Sequence, residues 1–209
     1  MINKIKKGLQ QPVVKSMALY ALTDGLSKAV PFLIMPIIAM YMQPAEFGIA
    51  SNYMVFTQMV GAFIGLGTQS YFGVDYYRTD VKDRGKLLTN LVAINLVITL
   101  LSFVVILCCS GYLRSLFVVG MEFQLLASLM MFFSAFTDLF VIYLRMEERL
   151  KEYSRFQALT SLSSALLSLL FIAVFMMSWQ GRVYALFLSN VILFVVAAIA
   201  FAKRDMLKF

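Results

Sequence analysis

The sequence predicts an all-α membrane protein, a bundle of six transmembrane helices with both termini on the cytoplasmic side. Three observations lead there. Of 209 residues, 61% are hydrophobic and only 14% charged, whereas a soluble domain is about half apolar and a quarter charged. The apolar residues gather into six long runs. The basic residues alternate between sparse and dense connections from one run to the next.

A bilayer core of about 30 Å needs roughly 20 apolar residues of helix. The runs that qualify are 17–42, 47–72, 87–109, 123–144, 156–178 and 183–202. Helix is the default because backbone polar groups in lipid must pair within their own segment. A β-barrel would need short alternating strands, and these runs are long and continuous. Residues 1–16 read as a basic interfacial lead-in carrying Lys4, Lys6, Lys7 and Lys15, residues 17–203 as the six-helix lobe, and residues 204–209 as a cytoplasmic tail. Gln43-Pro44 stops the first span, and Gly111 and Gly181 are expected at the two other outer turns.

Orientation follows from the connections. The dense side holds the four lead-in lysines, then Arg78, Lys82, Arg84 and Lys86, then Arg145, Arg149, Lys151 and Arg155, and finally Lys203, Arg204 and Lys208. The opposite side holds Arg114 and Arg182. The positive-inside rule places the dense side, and with it both ends, in the cytoplasm. The expected location is the inner (cytoplasmic) cell membrane.

The same charges exclude other classes. A net charge of +7 could suggest nucleic acid, but basic residues in short loops face lipid headgroups, so no nucleic-acid partner is expected. There is no histidine, which removes the commonest general base and metal ligand. Cys108 and Cys109 are adjacent within an apolar run and have no metal-ligand spacing. No loop exceeds about a dozen residues, leaving no room for a soluble catalytic domain. No catalytic residue, metal or cofactor is expected, and the chain does not read as an enzyme.

The first span carries the strongest functional signal. Asp24 and Lys28 are spaced i, i+4 and share a helix face. Charges in mid-membrane are costly and normally face a bundle interior or a wet cavity. Two readings follow: a cavity-lining cation ready for an anionic substrate, or a self-neutralising Asp24–Lys28 pair. Pro31 and Pro36 each delete a backbone hydrogen bond and suit a helix that bends or gates. Asp138 lies inside the fourth span, where it could pair with Lys28, couple transport to an ion, or make an interhelical hydrogen bond. Gly61 and Gly65 form a small-xxx-small pattern that suits close helix packing.

Three regions together resemble the polysaccharide, O-antigen-type flippases of the multidrug/oligosaccharidyl-lipid/polysaccharide exporter superfamily. They are residues 33–48 (LIMPIIAMYMQPAEFG), the pair GLGT at 65–68 and VDYYR at 74–78, and YLRMEERLKEY at 143–153. The family opening often carries arginine where this chain has Met40. The resemblance implies the N-terminal lobe of a two-lobe exporter, completed by a second lobe or a second copy. It implies an undecaprenyl-diphosphate-linked oligosaccharide as substrate, moved outward for polysaccharide or lipopolysaccharide biosynthesis, with membrane lipids and glycan-assembly proteins as further partners. In that setting Lys28 would attract the diphosphate, Asp24 would share its site, and Arg78 and Arg145 would assist headgroup loading. Two alternatives are an ion-coupled exporter of small cationic compounds, centred on Asp24 and Asp138, and a non-transporting membrane subunit of a glycan-synthesis complex.

Overall fold

The computed structural model describes residues 12–206, with side chains from residue 18 onward. Most of the basic lead-in and the last three residues lie outside that range. The described elements are α1 (Pro12–Met40), α2 (Pro44–Gly65), α3 (Thr68–Asp75), α4 (Arg84–Phe117), α5 (Met121–Met146), α6 (Leu150–Leu169) and α7 (Trp179–Ala202). A π-helical turn, Leu170–Val174, extends α6. Six stretches are long and apolar enough to cross a membrane: Ala18–Met40, Pro44–Gly65, Arg84–Phe117, Met121–Met146, Leu150–Val174 and Trp179–Ala202. The chain is an all-helical, multi-pass membrane protein among its described residues.

Local chemistry sets the breaks. Tyr41 to Gln43 separates α1 from α2, and Pro44 opens α2 where its missing N–H costs nothing. The Glu46 carboxylate accepts a hydrogen bond from the Gln43 backbone N–H at 3.0 Å, covering an orphan donor. The expected second span, 47–72, is interrupted. Leu66 and Gly67 both adopt left-handed backbone, at φ 35° and 71°, and α3 starts afresh at Thr68. The third span outruns its expected end. Gly111 lies inside α4, which continues to Phe117 and stops on left-handed Val118. At 34 residues α4 is roughly 51 Å long, well beyond the hydrocarbon core. Gly181 is likewise not a turn residue; it sits in the first turn of α7.

The helix α5 is the hub. It packs against α2, α3, α4, α6 and α7, and a helix so enclosed must be apolar on most faces. Two core clusters stack along it. One gathers Phe72, Tyr76, Phe136, Phe140, Tyr143, Tyr153, Phe156 and Phe201 around Leu88 and Leu139. The other holds Tyr53, Phe56, Ile106, Phe123, Met130 and Val183. Gly61 brings α2 against α5: a Cβ there would meet Met131 Sδ at 2.6 Å. Gly65 touches nothing that a Cβ would meet and ends the helix instead, so only half of the small-xxx-small pair packs. The helix α1 is the outlier. It leans mainly on α6 and leaves Leu22, Leu26, Phe32, Leu33 and Met40 exposed.

The basic connections meet at one end of the bundle. Arg84 approaches Glu147 at 3.6 Å, Arg204 hydrogen-bonds Glu152, and Tyr77 Oη donates to the Met146 carbonyl at 2.5 Å. Burial, followed by the Glu147 carboxylate, pushes the Tyr76 phenol above its ordinary range, so it stays a neutral donor to Glu147. This convergence is what alternating basic loops require of an even number of crossings.

Candidate functional site

The site is built from α1, α5 and α6 near the basic end. Arg145 sits in the last turn of α5, where a cation complements the helix dipole. Its Nη2 lies 3.0 Å from Asp24 Oδ2 on α1. The same nitrogen donates to Tyr153 Oη on α6 at 2.5 Å, and the guanidinium lies over the Tyr153 ring, 4.9 Å from its centroid. Tyr153 Oη donates to Asp24 Oδ1. Gln157, one turn along α6, donates to the same oxygen at 3.3 Å. Tyr20 packs edge-on against Tyr153 at 4.9 Å, and the hydroxyls of Thr23 and Ser154 meet at 3.1 Å. A short polar seam therefore joins α1 to the bundle, with a carboxylate that accepts from three side chains.

Lys28 is not part of that seam. It is exposed on α1 and makes no salt bridge or hydrogen bond among the described residues, reaching Asp24 only through longer-range electrostatics. The self-neutralising Asp24–Lys28 pair is therefore corrected: i, i+4 spacing permits that pair, but Arg145 and Tyr153 occupy both oxygens of Asp24. Lys28 lies one helical turn beyond Asp24, roughly 6 Å further along α1 from the polar seam and inside an apolar span.

The remaining sequence-derived residues are dispersed. Asp138 is half-buried on α5 and accepts a hydrogen bond from Gln69 Nε2 of α3 at 2.8 Å, so the pairing with Lys28 is not made. Arg78 is exposed in the α3–α4 connection, 3.8 Å from Asp75. Pro31 and Pro36 lie inside α1, which remains helical through both. The structure thus brings Asp24 and Arg145 together and leaves Lys28, Arg78 and Asp138 apart.

Three participants escaped the sequence reading. Tyr153 and Gln157 carry a usable signal, i, i+4 polar spacing at the start of an apolar helix, but their partner on α1 is 129 residues or more away. Arg182 reads from the sequence as a charge on the sparse, outer side. It lies in the first turn of α7, donates to Ser168 Oγ, and borders a small hollow with Met35, Ile38, Met42 and Phe47.

An outward-facing multidrug resistance transporter of the MATE family, in the MOP superfamily, superposes with a TM-score of 0.70 at 18% identity, over 91% of this chain and 46% of that one. A crystal structure of a MATE mutant gives 0.71 at 18% identity, over 94% and 47%. The chain thus spans about half the length of the solved structures it matches, and the shared feature is the fold. No curated protein matches the sequence. The family of polysaccharide biosynthesis proteins does match, over residues 13–204. That match covers nearly the whole sequence, and the chain belongs to the polysaccharide biosynthesis protein family.

Proposed function

We propose that this chain forms one lobe of a membrane transporter that carries a lipid-diphosphate-linked oligosaccharide from the cytoplasmic to the outer leaflet. Family membership and the fold shared with an outward-facing transporter support this reading. The observation that carries it is Lys28: an exposed cation inside the apolar span of the least buried helix, one turn beyond Asp24, whose carboxylate is held by Arg145. An ammonium left in hydrocarbon costs several kcal/mol. A water-filled cavity between lobes, occupied in turn by a diphosphate, removes that cost. Arg78 and the half-exposed Arg145 stand at the basic end, where a headgroup would load. The basic end faces the cytoplasm in this proposal, and α1, hinged on its polar seam and softened at Pro31 and Pro36, moves as the two lobes rock.

The test is reconstitution of the complete transporter in vesicles with a labelled lipid-linked sugar. Lys28→Ala should reach the membrane, unfold at the wild-type temperature and lose translocation, and Lys28→Arg should retain much of it. Normal translocation by Lys28→Ala would remove the assigned role.

A second reading, ion-coupled export of small cationic compounds, is favoured by Asp138, a half-buried carboxylate whose hydrogen-bond partner is an amide, with no salt bridge to a cation among the described residues. In that case Asp138→Asn would abolish resistance to cationic drugs and leave polysaccharide output intact.

A further inference from the structure

We infer that the end of the bundle opposite the basic loops holds a phosphoethanolamine phospholipid, its headgroup between Arg114 and Glu122 and one acyl chain in the groove between α2 and α4. This goes beyond the transport reading and does not depend on it.

The last two turns of α4 contribute to two hollows, Leu113 and Phe117 to one and Ser110, Gly111 and Arg114 to the other. The first has a volume of about 350 Å³ and runs between α2 and α4, bounded by Phe56, Met59 and Phe63 on one side and Leu101, Val105 and Phe117 on the other. Its one hydroxyl, Ser102, is already satisfied by the Thr99 carbonyl and Ser128. From Ile98 to Phe117 the α4 wall extends roughly 28 Å, longer than one leaflet of the hydrocarbon core. An acyl chain therefore fits along it without meeting a polar group.

The second hollow, about 330 Å³, is polar and is lined by Ser110, Gly111, Arg114, Gly120, Met121 and Glu122. It holds one cation and one anion. Neither makes a salt bridge or hydrogen bond with the other or with any described residue. Arg114 lies in the last turn of α4 and Glu122 in the first turn of α5, positions where each charge complements the dipole of its own helix. The loop between them is pinned from below, where buried Gln124 donates to the Val119 carbonyl at 2.9 Å.

Charge complementarity selects the headgroup. A phosphate suits the Arg114 guanidinium. Glu122 beside it disfavours a ligand that is only anionic, such as phosphatidylglycerol, and suits an ammonium that donates hydrogen bonds. Phosphoethanolamine carries both groups. Phosphocholine carries the charges but has no N–H to give the carboxylate.

Native mass spectrometry of the purified full chain, released from mixed phosphatidylethanolamine, phosphatidylcholine and phosphatidylglycerol, tests this. Phosphatidylethanolamine adducts should dominate, and Arg114→Ala or Glu122→Gln should each weaken them about ten-fold, the effect of losing one charge-assisted hydrogen bond. Both residues are exposed, so the variants should keep the wild-type elution profile and melting temperature; Lys28→Ala should retain the lipid fully. Equal or preferred retention of phosphatidylglycerol overturns the proposal. So does unchanged retention in Glu122→Gln, which would mean that Arg114 and Glu122 close on each other. Absence of any lipid, with the groove shielded from a lipid-soluble probe, would assign the groove to a protein partner and also overturn it.

Discussion

Arg145 on α5 reaches across to Asp24 on α1, Nη2 to Oδ2 at 3.0 Å, joining residues 121 positions apart in the chain. With so little of α1 buried, this contact and its Tyr153 neighbour are the main polar ties of the helix to the bundle. Asp24→Asn should therefore loosen α1. Both partners are about a third or more exposed, so the ion pair by itself contributes on the order of 1 kcal/mol. The expected result is a modest drop in melting temperature in detergent and faster hydrogen exchange along α1. A double-mutant cycle with Arg145→Gln should recover the coupling; strictly additive losses would deny it.

Tyr153→Phe removes the hydroxyl that touches Asp24, Arg145 and Gln157. A buried hydroxyl in such a network is worth about 1 kcal/mol. The ring remains to pack on Tyr20, so the fold should survive and α1 exchange should rise about as much as in Asp24→Asn. An unchanged exchange rate would make the seam incidental.

Asp138 separates coupling from packing. Asp138→Asn keeps a hydrogen-bonding side chain beside Gln69 but cannot titrate, while Asp138→Leu removes both properties. If the carboxylate couples transport to protons, Asn and Leu fail alike and the response of transport to an imposed pH gradient disappears. If it serves only to join α3 to α5, Asn behaves as wild type and Leu alone is unstable, as seen in a thermal melt.

The glycines differ sharply. At Gly181 an added Cβ would sit 2.8 Å from Met177 Cβ and 3.2 Å from the Phe171 carbonyl oxygen. Because those atoms belong to or lie next to the backbone, Gly181→Ala should cost about 1–3 kcal/mol through overpacking. Gly65→Ala meets open space and should melt within error of wild type. Gly61→Leu should destabilise, and Met131→Ala in the same chain should restore part of the loss.

Orientation is checked with single cysteines on a background lacking Cys108 and Cys109. A cysteine at Thr79 should react with an impermeant maleimide only from the cytoplasmic side, and one at Gln43 only from outside. The reverse pattern would invert the proposed direction of transport.

Composition and periodicity alone determined the class, the number of crossings and the pairing of the basic connections, because hydrocarbon forces each span to be apolar and internally hydrogen-bonded whatever surrounds it. The break at Leu66-Gly67 and the extra turns of α4 were not legible, since an apolar run looks the same whether the helix continues or stops within it. The partner of Asp24 was decided only in three dimensions. Local spacing offered Lys28, four residues away, but the packing of α1 on α6 delivered Arg145 and Tyr153 from distant segments with better geometry, leaving Lys28 without an ion-pair partner among the described residues. Which charges neutralise each other depends on distances of a few ångströms between helices, and no pattern along one helix encodes those.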